Sequence, residues 1–522
     1  MARQFNAENV LKGVSVLTVA SFIAKILSAL YRVPYQNYVG DIGFYVYQQV
    51  YPIYGVAMMI ALGGLPQFIS KVTVESQTDL ELESDLYDCF RAVSIVSFAL
   101  FLIVFFGSDV LANMMGQAKL SPVIKMSALS FLITPFLSII RGAFQGKLKM
   151  IPTATSQLLE QILRVIMIWF AAWGFQKLNY SVYETGELAM SGSVVGGVAG
   201  VFLLLGYLRK EKDIPIHFHF KRRNRSGKGR RLLKRMVIEG GVMSIYSGYL
   251  ILLQLVDSFT INKALVDHGL TGVQAEITKG IFDRGQPFVQ LGLIVSLALT
   301  SSFLPSLTEK YLSKDETEFK KHAKRLLKLT IVMGAGATAG LIALLPVFNI
   351  ALFKENREMM ALSVFVTSAF FMVIIQAIQS IFQSQGDYWT PLRAAFIGIV
   401  LKVLSTSIFT ETFGITGTSF ATILALCGCL LSIVWKAPKH LIDWRTLIRV
   451  GLGIFAMSLL LVGFRIWMGD VQERVMAFLL SLLCVLIGGT VYMFILLKLQ
   501  VFSEEELEEI PWIGKWKKRS KR

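Results

Sequence analysis

The distribution of hydrophobic residues along this 522-residue chain predicts helices that cross a membrane. Apolar runs of roughly 20 residues recur from one end to the other, and a helical run of that length spans a hydrocarbon core of ~30 Å. We find fourteen, near residues 13–35, 43–70, 90–113, 122–145, 154–176, 187–208, 238–262, 281–308, 326–352, 359–384, 391–413, 415–435, 446–468 and 475–498. A membrane β-barrel would show short segments of alternating polarity instead. The pattern predicts an all-α, polytopic membrane protein with about 14 transmembrane helices.

Two stretches about 240 residues apart carry similar sequences. The first reads Phe-Gln-Gly up to Gly146 and is followed by Pro152. The second reads Gln-Ser-Gln-Gly up to Gly386 and is followed by Pro391. A long hydrophobic chain made of two like halves is typical of secondary transporters, which hold their substrate between the halves. We expect both glycines to mark inner-side turns, between the fourth and fifth and between the tenth and eleventh helices.

The formal net charge of +17 is concentrated in alternate loops and at the chain ends. With the amino terminus placed inside, most of the 52 Lys and Arg residues fall in predicted inner loops and tails, which is the positive-inside pattern. We therefore expect a multi-pass protein of the cell membrane with both termini in the cytoplasm. Topology and attraction to anionic membrane lipids account for the basic charge, so no nucleic-acid partner is expected.

The largest basic segment separates the two halves. We predict a first lobe over residues 1–210 with helices 1–6, a basic cytoplasmic linker at 211–236, and a second lobe at 237–437 with helices 7–12. Two extra helices at 438–500 and a basic cytoplasmic tail at 501–522 complete the predicted organisation.

The sequence offers little for metal binding or covalent catalysis. Cys89, Cys427, Cys429 and Cys484 lie in or beside apolar runs, and no histidine is near enough to complete a zinc site. We expect these cysteines to be apolar side chains, with no metal and no cofactor. A membrane enzyme that polymerises or ligates glycolipids would need catalytic residues on a large outer loop, and no predicted outer loop exceeds roughly 20 residues. The chain is therefore not predicted to be an enzyme.

Charged residues inside the apolar runs mark a candidate site, because an ionised side chain at mid-membrane costs at least ~2.5–3.5 kcal/mol. Lys25 and Arg32 are two helical turns apart and share a face of the first helix. Arg284 opens the eighth. No acid lies one turn from these cations, unless Asp283 or Asp257 reaches across. We predict a cationic cavity that takes an anionic substrate such as a phosphate or pyrophosphate.

Other polar residues near the predicted cavity have two interpretations each. Asp41 follows the first helix in an outer turn, and Gln48 lies in the second. Tyr47, Tyr51 and Tyr54 form one stripe on the second helix, either as an aromatic belt at the membrane interface or as a platform on which sugar rings stack.

The fifth helix carries a buried charge pair in its sequence. Glu160 and Arg164 are four residues apart and therefore lie on the same helical face. We expect a structural ion pair between them that keeps this helix neutral.

Three stretches of the chain resemble a known family. They are Arg141-Gly-Ala-Phe-Gln-Gly-Lys, Tyr31-Arg-Val-Pro-Tyr-Gln-Asn and Phe282-Asp-Arg-Gly-Gln-Pro. They are similar to the polysaccharide transport group of the multidrug/oligosaccharidyl-lipid/polysaccharide (MOP) exporter superfamily, which is MATE-like. Within that group the resemblance is to the stage V sporulation protein B branch, with the flippases similar to MurJ, and it covers about residues 10 to 500.

The resemblance implies two six-helix lobes in a V, two further helices and alternating access to a central cationic cavity. It implies a flippase that moves undecaprenyl-pyrophosphate-linked saccharides, including peptidoglycan precursors such as lipid II, to the outer leaflet. By position, Lys25 and Arg32 match basic residues of the family's first helix, Asp41 the following acid, and Arg284 an essential basic residue of the eighth. Position 25 is often Arg in the family, so Lys25 departs from its pattern.

A second function remains open on the same fold. Multidrug antiporters of the MATE type are driven by Na⁺ or H⁺, and either ion is a possible coupling ion here. Such exporters usually hold acids in an apolar cavity, whereas the charged residues within the predicted spans are mainly basic. We therefore favour the flippase, acting on a lipid-linked oligosaccharide as a monomer among membrane lipids.

Overall fold

A computed structural model describes residues 20, 23–24, 26–28, 31–211, 214, 228–437, 443–469 and 473–503. Regular secondary structure within these ranges is helical, which confirms the predicted all-α class. The helices are α1 (Arg32–Met58), α2 (Gly64–Glu75), α3 (Asp79–Phe106), α4 (Ser108–Met114), α5 (Ser121–Ala128), α6 (Ser130–Gly146), α7 (Met150–Lys177), α8 (Val182–Lys210), α9 (Lys228–Arg235), α10 (Gly241–Ser247), α11 (Tyr249–Asp267), α12 (Gly272–Asp283), α13 (Gly285–Leu312), α14 (Glu316–Phe353), α15 (Met359–Ser384), α16 (Trp389–Lys436), α17 (Trp444–Met468) and α18 (Arg474–Lys498).

The lengths and compositions of these helices are those of a multi-pass membrane protein. Within the described residues, 11 helical stretches are long and apolar enough to cross a membrane. Two of them, Ile26–Glu75 and Trp389–Lys436, contain 50 and 48 residues. At a rise of about 1.5 Å per residue, each is long enough to cross twice. The predicted count of fourteen is compatible with this arrangement and stays a prediction.

Each of these two long stretches bends at a glycine. Gly40 has φ +73° and Gly414 has φ +60°, in the left-handed region where glycine avoids the steric cost that a Cβ would impose. Successive predicted spans therefore follow one another without an intervening loop.

The repeated glycine–proline stretches fall at corresponding places in the two halves. Helix α6 ends at Gly146, and Pro152 is the third residue of α7. Gly386 follows the end of α15, and Pro391 is the third residue of α16. Proline is tolerated in the first turn of a helix because the amide hydrogens there have no partner within the helix. The turns separate the predicted helices, and their placement on the inner side remains a prediction.

The chain forms two compact units. The first comprises Met1–Leu291, Met360–Phe365 and Gly386–Lys436, and the second comprises Gly292–Met359, Val366–Gln385 and Ala437–Arg522. These bounds differ from the predicted lobes, because α11, α12 and α16 pack with helices of the first half in one unit. The lobes themselves stay a prediction. Most of the predicted linker at 211–236 and of the tail at 501–522 lies outside the described residues.

The second unit is held together by α14, α17 and α18. The Tyr492 hydroxyl donates a hydrogen bond of 2.7 Å to the Val332 carbonyl, and Arg474 Nε donates one of 2.8 Å to the Ala351 carbonyl. Apolar side chains such as Met457 and Leu461 fill the space between these helices. The predicted site residues that the structure describes lie in the first unit.

Candidate functional site

Helix α12 packs closely against the bend in α1. A Cβ built on Gly280 would clash with the carbonyl oxygen of Asp41, the residue after the bend at Gly40. Helix α12 begins with a capping box, in which Thr271 and Gln274 bond each other's backbone amides. The small residues at positions 40 and 280 therefore bring the carboxyl end of α12 next to Asp41.

Arg284, the residue after α12, forms an ion pair with Asp41. The Nε2 atom of Gln36 donates a hydrogen bond of 2.7 Å to the same carboxylate oxygen. Only 3% of Arg284 is exposed. The structure thus brings together two of the predicted cavity residues, and it engages the Arg284 guanidinium with a carboxylate. An anionic ligand of Arg284 has to compete with Asp41 in this conformation.

The other two predicted acids are paired with lysines, not with the predicted cations. Asp283 accepts hydrogen bonds of 2.6 and 2.7 Å from Lys279, one turn earlier on α12. Asp257 of α11 lies 2.6 Å from Lys402 of α16, and Lys402 also donates a hydrogen bond of 2.6 Å to Thr422. Neither lysine was among the predicted site residues. Each acid therefore has its own buried counter-ion. Neither Asp257 nor Asp283 forms an ion pair with Arg32 or Arg284 in the described part of the chain.

Arg32 is a buried cation of this site that has no bonded carboxylate among the described residues. Its side chain is completely buried, and none of its three nitrogen atoms forms a hydrogen bond within the part of the chain that the structure describes. The guanidinium lies over the ring of Tyr51, at 4.9 Å from the centroid. It interacts electrostatically with Asp283, which Lys279 already holds. Lys25, the other predicted cation of the first helix, lies outside the described residues.

Five tyrosines, which we term the tyrosine cluster, belong to one buried core: Tyr31, Tyr35, Tyr47, Tyr51 and Tyr54. Arg32 lies over two of their rings, those of Tyr31 and Tyr51. The rings of Tyr47 and Tyr51 are 6.1 Å apart, and those of Tyr51 and Tyr54 are 5.9 Å apart. All five are buried. The stripe of Tyr47, Tyr51 and Tyr54, which was predicted on the second span and lies on α1 after the bend, is therefore inside the protein. It is not an aromatic belt on a lipid-facing surface. The neighbouring predicted residue Gln48 is also buried.

The predicted pair of Glu160 with Arg164 is corrected by the structure. Glu160 is paired instead with Arg141 of α6, at 3.1 Å, and accepts a hydrogen bond of 3.2 Å from Tyr54. The Arg164 guanidinium lies over the Tyr54 ring, 4.8 Å from its centroid. The i, i+4 spacing allows a pair within one helix, but a neighbouring helix supplies the nearer guanidinium. Arg141 was missed as a charge, although it interrupts an apolar run in the repeated sequence.

A second ionic cluster connects α2 with the residues around α9. Arg235 donates hydrogen bonds of 2.9 and 3.2 Å to the Glu75 carboxylate and one of 2.9 Å to Glu239. Lys71 donates one of 2.7 Å to Glu239. The hydrogen bonds to Glu75 and Glu239 raise the pKa of Arg235. The cluster joins the two halves of the chain on the side predicted to face the cytoplasm.

Contacts also join the halves on the side predicted to face outward. Gln49 Nε2 donates a hydrogen bond of 2.6 Å to the Ser258 carbonyl, and Asn262 Nδ2 donates one of 3.0 Å to the Tyr45 hydroxyl. Both donors are buried. The charged site thus lies among helices α1, α11, α12 and α16, which pack within one compact unit.

Sequence comparison places the chain among bacterial membrane proteins. It is 32% identical to the uncharacterized membrane protein YabM of Bacillus subtilis (strain 168), over 98% of this chain and 96% of that protein. It is 23% identical to stage V sporulation protein B of the same organism, over 97% of this chain and 98% of that protein.

Structure comparison finds the same fold in a solved flippase. The chain matches the lipid II flippase MurJ in an inward closed conformation with a TM-score of 0.68 and 16% identity, covering 92% of this chain and 97% of that one. The resemblance to the MOP exporter superfamily inferred from the sequence motifs is confirmed. Residues 10–311 match the model of the polysaccharide biosynthesis protein family, and the chain therefore belongs to that family.

Proposed function

We propose that this chain is a flippase that exports a lipid-linked saccharide, with an undecaprenyl-pyrophosphate-linked oligosaccharide or peptidoglycan precursor as its substrate. The observation that carries the proposal is the buried Arg32 guanidinium, which makes no hydrogen bond to the described residues. Placing an ion in a low-dielectric interior costs several kcal/mol, and a desolvated contact with a tyrosine ring returns on the order of 2 kcal/mol. A diphosphate supplies the missing acceptors.

The Asp41–Arg284 ion pair suggests how binding is linked to movement. Asp41 belongs to the first half of the chain and Arg284 to the second. A diphosphate that takes the place of Asp41 on Arg284 breaks a contact between the halves, so that substrate entry favours another conformation. Transport then follows from alternating access, by rocking of residues 1–210 against the second half, and no covalent bond is made or broken.

A cation-coupled multidrug antiporter is the second candidate, and the charges favour it less. Such a transporter needs a buried acid that exchanges Na⁺ or H⁺. Two deeply buried acids, Glu160 and Asp257, are each bonded by a basic side chain, Arg141 and Lys402. A bound cation has to displace an internal guanidinium or ammonium at either place.

The proposed location is the cell membrane, with both termini in the cytoplasm and the protein acting as a monomer. Single cysteines in a cysteine-free variant test this topology. Gly229→Cys and Ser520→Cys are expected to be shielded from an impermeant thiol reagent in intact cells, whereas Gly469→Cys is expected to react. Labelling at position 229 in unbroken cells contradicts the proposed topology.

The substrate is best identified from the lipids that remain bound to the purified protein. Mass spectrometry of the native protein in detergent is expected to detect a polyprenyl-diphosphate-linked saccharide. An Arg32→Gln variant is expected to lose that lipid and to keep its bulk phospholipid. Co-purification of phospholipid alone with the unmodified protein argues against the proposed substrate class.

A further inference from the structure

Arg164 has no partner of the kind that the sequence suggested for it. The guanidinium is 2% exposed, and its Nε atom makes no hydrogen bond within the described part of the chain. Glu160, one turn earlier on α7, is held by Arg141 and by the Tyr54 hydroxyl. The contact made by Arg164 is with the face of the Tyr54 ring. Its charge is therefore not used to neutralise α7.

Arg164 and Arg32 lie on the same tyrosine cluster. Arg32 lies 4.9 Å from the centroid of Tyr51 and Arg164 lies 4.8 Å from that of Tyr54, and these two rings are neighbours, 5.9 Å apart. Arg32 also lies over the ring of Tyr31, at 6.0 Å from its centroid, and the Tyr31 ring packs against that of Tyr47. The two guanidiniums thus face one aromatic surface from different helices, α1 and α7.

The charges around this surface do not balance among the described residues. Arg32, Arg141 and Arg164 are three buried cations, and Glu160 is the carboxylate bonded among them, to Arg141. Buried cations need an anion or good hydrogen bonds, and tyrosine rings satisfy the guanidinium face but not its in-plane N–H groups. Those groups form a planar fork that suits phosphate oxygens. The imbalance calls for an anionic ligand.

We propose that Arg164 is a second anion-binding residue, which holds the diphosphate of the substrate together with Arg32 on the tyrosine cluster. This inference rests on the proposed function. Because Arg32 and Arg164 are buried in this conformation, the anion reaches them only after the surface opens, and they then form a binding place in the first half of the chain that is separate from the Asp41–Arg284 ion pair. The diphosphate therefore binds first at Arg32 and Arg164 and engages Arg284 only when the Asp41 ion pair opens.

Binding of undecaprenyl diphosphate and undecaprenyl monophosphate to the purified full-length chain tests this role. Affinities are measured by native mass spectrometry in detergent, and ligand-free melting temperatures are measured alongside. Arg164→Gln is expected to weaken diphosphate binding by about tenfold or more, the effect of losing charge-assisted hydrogen bonds. Its ligand-free melting temperature is expected to stay close to that of the unmodified protein, because Arg164 makes no ion pair with the described residues.

Two further variants separate ligand binding from packing. Arg164→Lys keeps the positive charge but lacks the planar guanidinium fork, so the preference of this variant for diphosphate over monophosphate is expected to fall. This variant still tests the inference if Arg164→Gln does not fold. The matched control is Arg474→Gln, which removes one guanidinium from the second unit, where Arg474 donates hydrogen bonds to the Ala351 and Leu352 carbonyls. This control is expected to keep the diphosphate affinity.

The outcomes distinguish the inference from the function on which it rests. If the unmodified protein binds diphosphate and both Arg164 variants bind it equally well and with the same selectivity, the role of Arg164 is refuted and the flippase proposal stands. If the control loses affinity as much as Arg164→Gln does, the effect belongs to packing and the inference is again refuted. If the unmodified protein shows no preference for polyprenyl diphosphates, the proposed function itself fails.

Discussion

The Asp257–Lys402 pair allows a quantitative prediction about the stability of the first unit. Lys402 is completely buried, its ammonium forms an ion pair with Asp257 at 2.6 Å, and it donates a hydrogen bond of 2.6 Å to Thr422. Removing one member of such a pair leaves an uncompensated buried charge, which typically costs about 3–5 kcal/mol. Lys402→Met and Asp257→Asn are each expected to destabilise the protein by that amount.

The double substitution separates the value of the pair from the cost of breaking it. With Lys402→Met and Asp257→Asn together no charge is left stranded, and similar replacements of buried pairs are often neutral. We expect the double variant to recover at least half of the loss of either single variant. Thr422→Val removes only one hydrogen bond and is expected to cost about 0.5–1.5 kcal/mol.

Chemical unfolding in detergent micelles measures these differences, with helical circular dichroism as the signal. The double-mutant cycle gives a coupling energy, which the costs above place at about 4 kcal/mol or more. Single variants that each cost less than about 0.5 kcal/mol, or costs that simply add in the double variant, contradict the view that this pair is desolvated and mutually dependent.

Three other predictions concern close approach, unpaired charge and pH. Gly280→Ala places a Cβ against the Asp41 carbonyl and is expected to lower the free energy of unfolding by about 1–3 kcal/mol in the same assay. The control Gly272→Ala lies on the same helix, where a Cβ meets no atom within 4 Å, and is expected to leave that free energy unchanged. Arg32→Met is expected to leave the melting temperature unchanged or higher while substrate binding is lost, because a buried charge without a bonded carboxylate is removed; a large loss of stability refutes this. Burial raises the pKa of Glu276, against the lowering effects of a hydrogen bond from Gln117 and of a nearby lysine, so the folded state binds this proton more tightly than the unfolded chain. The stability that this group contributes is present below the ordinary glutamate pKa and is lost as the pH rises through the raised pKa. The melting temperature of Glu276→Gln is therefore expected to depend less on pH in this range than that of the unmodified protein. An equal pH dependence of the two melting temperatures contradicts the assignment.

The sequence was sufficient to predict the long apolar helices but neither the short helix α12 nor the partners of the buried charges. Apolar runs, the glycine–proline repeat and the charge of the loops all follow from interactions that are local in the chain or between the chain and the membrane. The i, i+4 rule likewise places Glu160 and Arg164 on one face of α7. It cannot show that Arg141, on a neighbouring helix, is closer to Glu160, because that distance is set by how α6 and α7 pack.

In the charged site, too, the sequence identifies the residues but not which of them form pairs. Arg32, Asp41 and Arg284 stand out in the sequence because charge inside or beside an apolar run is costly. The pairing of Asp41 with Arg284 depends on the bend at Gly40 and on the approach of Gly280, which no periodicity reveals. Lys279 was missed because it lies just before the eighth apolar run, in a stretch expected to be an outer loop.

A reconstituted flipping assay tests the central claim most directly. Purified protein is placed in liposomes with a fluorescent undecaprenyl-diphosphate-linked saccharide, and the fraction that becomes accessible to a membrane-impermeant quencher is followed with time. The unmodified protein is expected to move the lipid, and the double variant Arg32→Ala, Arg284→Ala is expected to reach only the rate of protein-free liposomes. Transport by the double variant at the rate of the unmodified protein contradicts the cationic-site mechanism.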